Sequence, residues 1–141
     1  MTRQIDTISD TFYMTDDMSS IDVSSIHALL SNCYWRKDID TQSVRKFIAN
    51  SYCVSILNQR DNTIAFARLI TDYASYGFIT DVVVDESYRR QGLARKMIDW
   101  FLESSQFEDI EHWSLITTDE SIGIPVTIEG AVYSNREMSL K

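Results

Sequence analysis

Proline and glycine are scarce in this sequence, and nowhere do they form a linker. Pro125 is the only proline among 141 residues, and four residues are glycine. The sequence also lacks internal repeats and low-complexity tracts. Since linkers and repeat arrays leave such compositional marks, we expect a single domain over residues 1–141, a length that can bury one hydrophobic core.

Long apolar runs and clustered cysteines are absent as well. No apolar run approaches the length of a signal-peptide core or of a membrane span, so we expect a cytoplasmic protein that does not contact membranes. Cys33 and Cys53 lie far apart, without CxxC spacing and without a histidine at metal-ligand spacing. This pattern predicts two reduced, buried thiols and no metal site.

The sequence has fewer cationic than acidic residues: 13 are Lys or Arg and 21 are Asp or Glu, which gives a net charge of -8. An acidic chain repels nucleic acid, which is therefore a poor candidate partner. Four of the cations nevertheless fall within eight positions: Arg89, Arg90, Arg95 and Lys96. The cluster indicates a small anionic ligand bound at one place; the alternative is the solvated start of a helix with ordinary surface charges.

Hydrophobic periodicity predicts an α/β chain. Strands are expected at residues 12–15, 52–57, 63–71, 78–84 and 113–117, with edge strands at 126–128 and 136–140. The first helix should begin at Ser20, Asp22 or Ser24 and end near Trp35, the second should run from a Thr41 cap to Asn50 and Ser51, and the third from Gly92 to about Ser104. The strands at 52–84 form an antiparallel meander, and the strand at 113–117 can lie parallel to its last member because a helix intervenes.

A segment rich in arginine joins the valine strand at 82–84 to the third helix. Helix starts offer unpaired amides and a positive dipole end, which suit a phosphate. Gly92 has no Cβ to keep an anion from the backbone, and neighbouring arginines add charge-assisted donors. The segment therefore predicts a diphosphate site, although it lacks the GxxxxGK and GxGxxG loops. The alternative is that Gly92 merely begins a helix after a turn.

From Val82 to Ala94 the chain resembles the acyl-CoA-binding motif of the GCN5-related N-acetyltransferase (GNAT) superfamily. That motif has Arg or Gln, then Gly three residues later, then Gly or Ala two residues after that, and Arg89, Gly92 and Ala94 fill these positions. The resemblance covers about four-fifths of the chain. It implies an α/β fold with a mixed, mostly antiparallel central sheet, flanked by helices and splayed between parallel strands at the acyl-CoA site.

The resemblance also implies the activity and the cofactor contacts. It implies an acyltransferase that moves the acetyl group of acetyl-CoA to a primary amine of a small molecule or peptide by direct attack, without a metal. The backbone of the valine strand would bind pantetheine, the loop and helix start would bind the pyrophosphate, and two arginines would support it. The residues so implied are Val82, Val83, Val84, Arg89, Arg90, Gln91, Gly92, Leu93, Ala94 and Arg95.

The sequence also offers candidates for the catalytic groups. Asp81 precedes the valines and is our candidate for the base or for the carboxylate that orients the amine; its alternative is a structural aspartate bonded to a backbone N–H or to Arg68. Many relatives carry a tyrosine acid in a pattern like LYxxxGF, but here Val126 takes the tyrosine position when Gly130 is matched to the glycine. Tyr133 offers a phenol without indicative spacing. A slow enzyme and an acyl-CoA-binding domain without turnover both stay open.

Four further residues are candidates for an acceptor pocket. Aromatic walls and a carboxylate suit an amine, which selects Tyr34, Trp35, Arg68 and Asp72. The alternatives are core packing for the aromatic residues and an ordinary surface pair for Arg68 and Asp72. The acidic surface favours a cationic acceptor. The last strand would pair within the monomer or across a homodimer.

Overall fold

The structure is a computed structural model and describes residues 1–33, 36–117 and 126–128. Its strands form a seven-stranded sheet whose spatial order follows the chain. The strands are β1 Thr2–Asp6, β2 Thr11–Thr15, β3 Tyr52–Leu57, β4 Thr63–Thr71, β5 Tyr76–Val84, β6 His112–Thr117 and β7 Val126–Ile128. The helices are α1 Val23–Ser31, α2 Thr41–Asn50 and α3 Leu93–Glu103.

The sheet is mixed and mostly antiparallel, as the sequence predicted. Successive strands pair antiparallel except β5 and β6, which run parallel. Parallel neighbours need a crossover connection, and α3 supplies it between these two strands. The predicted strand at 126–128 is β7, whereas the one predicted at 136–140 lies outside the described residues.

Helices cover both faces of the sheet. α3 packs on one face in a cluster that includes Val82 and Val84, and α1 and α2 pack on the other in a cluster that includes Phe66 and Val83. The three valines of β5 are each at most 2% exposed. This confirms the prediction that consecutive valines mark a strand buried on both sides.

Two helix boundaries differ from the prediction. The N-cap of α2 is Asp40, whose side chain accepts a hydrogen bond from the amide of Ser43, and the predicted cap Thr41 is the first helical residue. α1 begins after Asp22, one of the three expected caps, but ends at Ser31 rather than near Trp35. Beyond that end the amide of Cys33 donates to the carbonyl of Leu30, so the chain turns more tightly than an α-helix.

Strand β1 was not predicted. Four of its five residues are exposed and only Ile5 is buried, so hydrophobic alternation gives it no signal. It forms because every one of its residues pairs with β2. Elsewhere, the predicted burial of both cysteines is confirmed. Among the described residues, no helix has the length and apolar character needed to cross a bilayer.

Candidate active site

The parallel pairing of β5 with β6 stops part-way along β5. Residues 76–79 of β5 pair with residues 112–115 of β6, but β5 continues to Val84. Among the residues that the structure describes, no strand pairs with the remaining part of β5 on this side. The two parallel strands therefore separate, and the end of β5 presents an open main-chain edge.

The main chain of Val82 and Val84 faces that open edge. The amide of Asp85 donates to the carbonyl of Ile64 on β4 at 2.8 Å, so the main chain of Asp85, and of Val83 two residues before it, is directed at β4. Because direction alternates along an antiparallel strand, the polar groups of Val82 and Val84 point the other way. The carbonyl of Val84 accepts a hydrogen bond from Nε of Arg89 at 3.2 Å.

A β-bulge lies immediately before the open edge. Phe66 pairs with Val83 and Arg68 pairs with Thr80, so two residues of β5, Asp81 and Val82, lie opposite a single residue of β4. Asp81 has a φ of 53°, a left-handed conformation that aspartate tolerates better than most residues do. Bulges of this kind bend a strand and increase its twist, which is consistent with β5 leaving β6 at this point.

The side chain of Asp81 is held by two arginines from different segments. Arg36, after α1, donates from Nε to Oδ1 at 2.9 Å and from Nη2 to Oδ2 at 3.0 Å. Arg68, on β4, donates from Nε to Oδ2 at 2.6 Å and from Nη1 to Oγ of Ser51 at 3.0 Å. Both guanidinium groups lie over the ring of Phe47. We call Arg36, Arg68 and Asp81 the arginine clamp.

The clamp keeps Asp81 ionised. Burial of this carboxylate, which is 2% exposed, opposes its ionisation, but the hydrogen bonds and charges of Arg36 and Arg68 outweigh that effect and lower its pKa. A carboxylate with a lowered pKa and donors on both oxygens binds a further proton weakly. These contacts favour the structural alternative for Asp81 over the role of base.

The start of α3 is shaped by two residues in the left-handed region. Arg90 has a φ of 67° and Gly92, the N-cap, has a φ of 78°. No side chain caps α3, and a Cβ placed on Gly92 would meet nothing within 4 Å. The space beside Gly92 is therefore open, and the first amides of the helix receive no hydrogen bond from an N-cap side chain. Leu93 and Ala94 are buried beneath them, which fixes this turn against the core.

The turn between β1 and β2 reaches the same loop. The hydroxyl of Thr7 donates to Oε1 of Gln91 at 3.0 Å. Between this turn and the start of α3 lies an open cavity of about 580 Å³. Its walls carry two cations, two hydroxyls and an exposed isoleucine, and the lining residues are Asp6, Thr7, Ile8, Ser9, Arg90, Gln91 and Lys96.

Comparison with known proteins identifies the family. The profile of the acetyltransferase (GNAT) family matches residues 23–123. The chain belongs to this family. No curated protein sequence matches it.

Solved GNAT structures resemble the chain in fold. A protein from Xanthomonas campestris pv. campestris that belongs to the GNAT family is 30% identical, with a TM-score of 0.71 over 77% of each chain. An aminoglycoside 6'-N-acetyltransferase complexed with coenzyme A is 14% identical, with a TM-score of 0.62 over 74% of this chain and 61% of its own. N-acetylglutamate synthase from Neisseria gonorrhoeae, complexed with coenzyme A and N-acetyl-glutamate, is 15% identical, with a TM-score of 0.63 over 77% of this chain and 26% of its own. The last two show the fold alone.

Within this GNAT fold, the residues expected to contact the cofactor lie together. The open edge of β5 leads through the short 3-10 turn Glu86–Tyr88 into the loop and the start of α3. Arg89 is half-buried against the edge, while the side chains of Arg90 and Arg95 are exposed. That these residues bind acyl-CoA stays a prediction, now with a defined geometry.

Of the four residues expected to form the acceptor pocket, the two that the structure describes, Arg68 and Asp72, have different partners. Arg68 is 8% exposed and belongs to the arginine clamp. Asp72 instead accepts hydrogen bonds from the amides of Ala74, Ser75 and Tyr76, which lower its pKa together with the hydroxyl of Ser75. The alternative that Arg68 and Asp72 form an ordinary surface pair is therefore wrong. Tyr34 and Trp35 lie outside the described residues.

Sequence reasoning missed two residues of this GNAT site. Arg36 reaches Asp81 across 45 positions of the chain, and nothing local in the sequence marks an arginine as the partner of a distant aspartate. Thr7 contacts Gln91 across 84 positions, from a hairpin whose first strand was not predicted. An aspartate within a strand predicted to be buried was the one available signal for Arg36, because a buried carboxylate requires partners.

Proposed function

We propose that the protein transfers the acetyl group of acetyl-CoA to a primary amine of a small molecule or peptide. The observation that carries the proposal is the separation of β5 from β6 directly beside an uncapped helix start. The open edge suits a ligand that bonds a strand through its own amides, and the helix start suits a diphosphate. Acetyl-CoA carries both groups, joined through its pantetheine arm.

The two parts of the site divide the binding. The main chain of Val82 and Val84 pairs with the amides of pantetheine, while the first amides of α3 bind the pyrophosphate where Gly92 leaves room. Arg89 and Arg95 add positive charge beside it. The cavity against the β1–β2 turn, with Arg90 and Lys96 on its wall, is suited to the nucleotide end of the same molecule.

Acetyl transfer requires a neutral amine, a polarised carbonyl and a proton for the departing sulfur. The nitrogen–carbon bond forms as the carbon–sulfur bond breaks, the amine loses a proton and the sulfur gains one. In this proposal a main-chain amide at Val82 or Val84 polarises the carbonyl. In this proposal Asp81 holds the bulge, because the clamp occupies both of its oxygens, and water exchanges the protons.

The second candidate function is binding of acyl-CoA without catalysis. Val126 occupies the position at which many relatives carry a tyrosine acid, and Asp81 has donors on both oxygens. An acyl-CoA-binding domain that serves as a sensor or interaction module would tolerate both features. The two candidates share the cofactor site and differ only in turnover.

Two measurements on the purified protein test the proposal. Calorimetry with coenzyme A and acetyl-CoA should give binding, and thiol release over a panel of primary amines should give turnover above background for at least one amine. Cationic and anionic amines belong on the panel, because the acidic chain favours the former. Binding without turnover on every amine would support the sensor, and failure to bind either ligand at millimolar concentration would refute both candidates.

A further inference from the structure

We propose that Arg36 is a positioning residue that holds the bulge of β5, and with it the open edge at Val82 and Val84. Its effect on catalysis rests on the function proposed above; its effect on the strand does not. In this role Arg36 acts through Asp81, the residue of the bulge that has the left-handed φ.

The geometry of the contact suits this role. Arg36 bonds both carboxylate oxygens of Asp81 through two nitrogens, and such a forked pair fixes orientation as well as distance. The segment that carries Arg36 is itself folded into turns: its amide donates to the carbonyl of Cys33, and its carbonyl accepts from the amide of Ile39, each at 3.0 Å. The clamp therefore ties the bulge to a defined turn after α1.

The strand needs such an anchor at this point. A bulge leaves one residue without a place in the ladder, and a left-handed φ on a residue other than glycine costs about 1 kcal/mol or more. Among the described residues, β6 does not pair with the main chain of Asp81, and β4 pairs with Thr80 and Val83 on either side of the bulge. The carboxylate of Asp81 is thus the contact through which side chains, rather than the main-chain ladder, hold the bulge.

Arg36 and Arg68 are not equivalent in the clamp. The side chain of Arg68 is 10% exposed and that of Arg36 is 30% exposed. Arg68 is the more deeply buried partner of a buried carboxylate, and removal of such a partner strongly destabilises or unfolds a protein. Removal of Arg36 leaves the pair of Asp81 with Arg68 in place, so the fold should survive while the bulge loses its second anchor.

The test compares Arg36→Met with Lys37→Met, a control that removes the same charge from the next, exposed residue. The first readout is hydrogen exchange by NMR and needs no ligand. The amide of Val83, which faces β4 beside the bulge, should exchange at least tenfold faster in R36M than in K37M. The amide of Ile79, on the paired part of β5, should not change.

The second readout separates binding from catalysis. In R36M, kcat should fall about tenfold or more, since small displacements of a catalytic group are costly. The Kd for coenzyme A should stay within about threefold of that of K37M, because the first amides of α3, which bind the pyrophosphate in this proposal, are not displaced. Arg36→Lys should recover part of kcat, because an ammonium can bond only one of the two oxygens well. R36K also serves as the test variant if R36M does not fold.

The outcomes are distinguishable. Faster exchange at Val83 with an unchanged Kd supports the proposal, and a lowered kcat extends it to catalysis. Equal Val83 exchange in R36M and K37M would overturn it, and a loss of kcat explained entirely by a smaller folded fraction would overturn its extension to catalysis. If the wild-type protein binds no coenzyme A, the proposed function fails, whereas the exchange measurement still decides whether Arg36 holds the bulge.

Discussion

Replacement of Gly92 by alanine should separate the stability of the protein from its affinity for coenzyme A. Gly92 has a φ of 78°, and an added Cβ would meet nothing within 4 Å. The cost to the fold is therefore conformational alone. An alanine in the left-handed region costs about 1–2 kcal/mol, which in a domain of this size lowers the melting temperature by about 3–6 °C.

The effect on binding should be at least as large as the effect on the fold. The open space above Gly92 is where the proposed pyrophosphate lies, so the new methyl group would displace it from the first amides of α3. The loss of one charge-assisted hydrogen bond is worth about 2 kcal/mol, and that corresponds to a Kd roughly thirtyfold higher. Calorimetry with coenzyme A measures this directly on protein kept well below its melting temperature.

Gly77→Ala is the matched control. A Cβ at Gly77 would come within 3.0 Å of the ring of Trp113 and 3.3 Å of Leu69, so overpacking should cost about 1–3 kcal/mol. This variant should be destabilised at least as much as G92A, yet bind coenzyme A like the wild type. The reasoning is refuted if G92A binds with an unchanged Kd, or if G77A loses as much affinity as G92A.

Three further predictions concern the loop, the clamp and the thiols. Arg89→Glu should raise the Kd for coenzyme A at least tenfold with the fold kept, by calorimetry and circular dichroism, because it reverses a charge beside the proposed pyrophosphate; an unchanged Kd counts against the site. Asp81→Asn should lower the free energy of unfolding by about 3 kcal/mol at pH 7, since it removes the counter-charge of buried Arg68. Because the pKa of Asp81 is lowered in the folded state, the stability that its carboxylate contributes is present above the unfolded pKa of about 4 and disappears as pH falls through the folded pKa. Urea melts should therefore show that the stability difference between D81N and the wild type shrinks at low pH. A loss of kcat alone, with stability intact, would instead support Asp81 as the base. Burial raises the pKa of Cys53 to about 12, so a thiol reagent should label it slowly at pH 8 in the native protein and rapidly in denaturant, and rapid native labelling would contradict the described burial.

The sequence was sufficient for features encoded within a few neighbouring residues. The valine strand, the loop and α3 lie within 22 consecutive positions, and each has its own signal: a β-branched run, a glycine among arginines, and a helical period. The separation of β5 from β6 followed only from the family resemblance. It is now located at Ile79 and Leu115, the last pair of the two strands.

The features of the site that the sequence did not predict depend on contacts between distant residues. Arg68 and Asp72 were grouped because both lie on the predicted meander, but in the structure Arg68 belongs to the arginine clamp and Asp72 accepts hydrogen bonds from the amides of its own turn. Sequence proximity does not specify which face a side chain occupies once a strand is buried on both sides. The bulge at Asp81 was likewise hidden, since the run Val82, Val83 and Val84 that follows it is buried on both faces and shows no hydrophobic alternation that a register shift could interrupt.

The candidate site therefore depends both on the local sequence of one segment and on a contact between residues far apart in the chain. Local sequence defines the surface that would hold the cofactor, because a helix start and a strand edge carry their binding groups in the main chain. The direction of that edge is set from elsewhere, by an arginine that follows α1 and bonds the bulge. A relative could thus keep the whole motif from Val82 to Ala94 and still lose turnover by losing Arg36. The motif alone accordingly predicts binding better than it predicts catalysis.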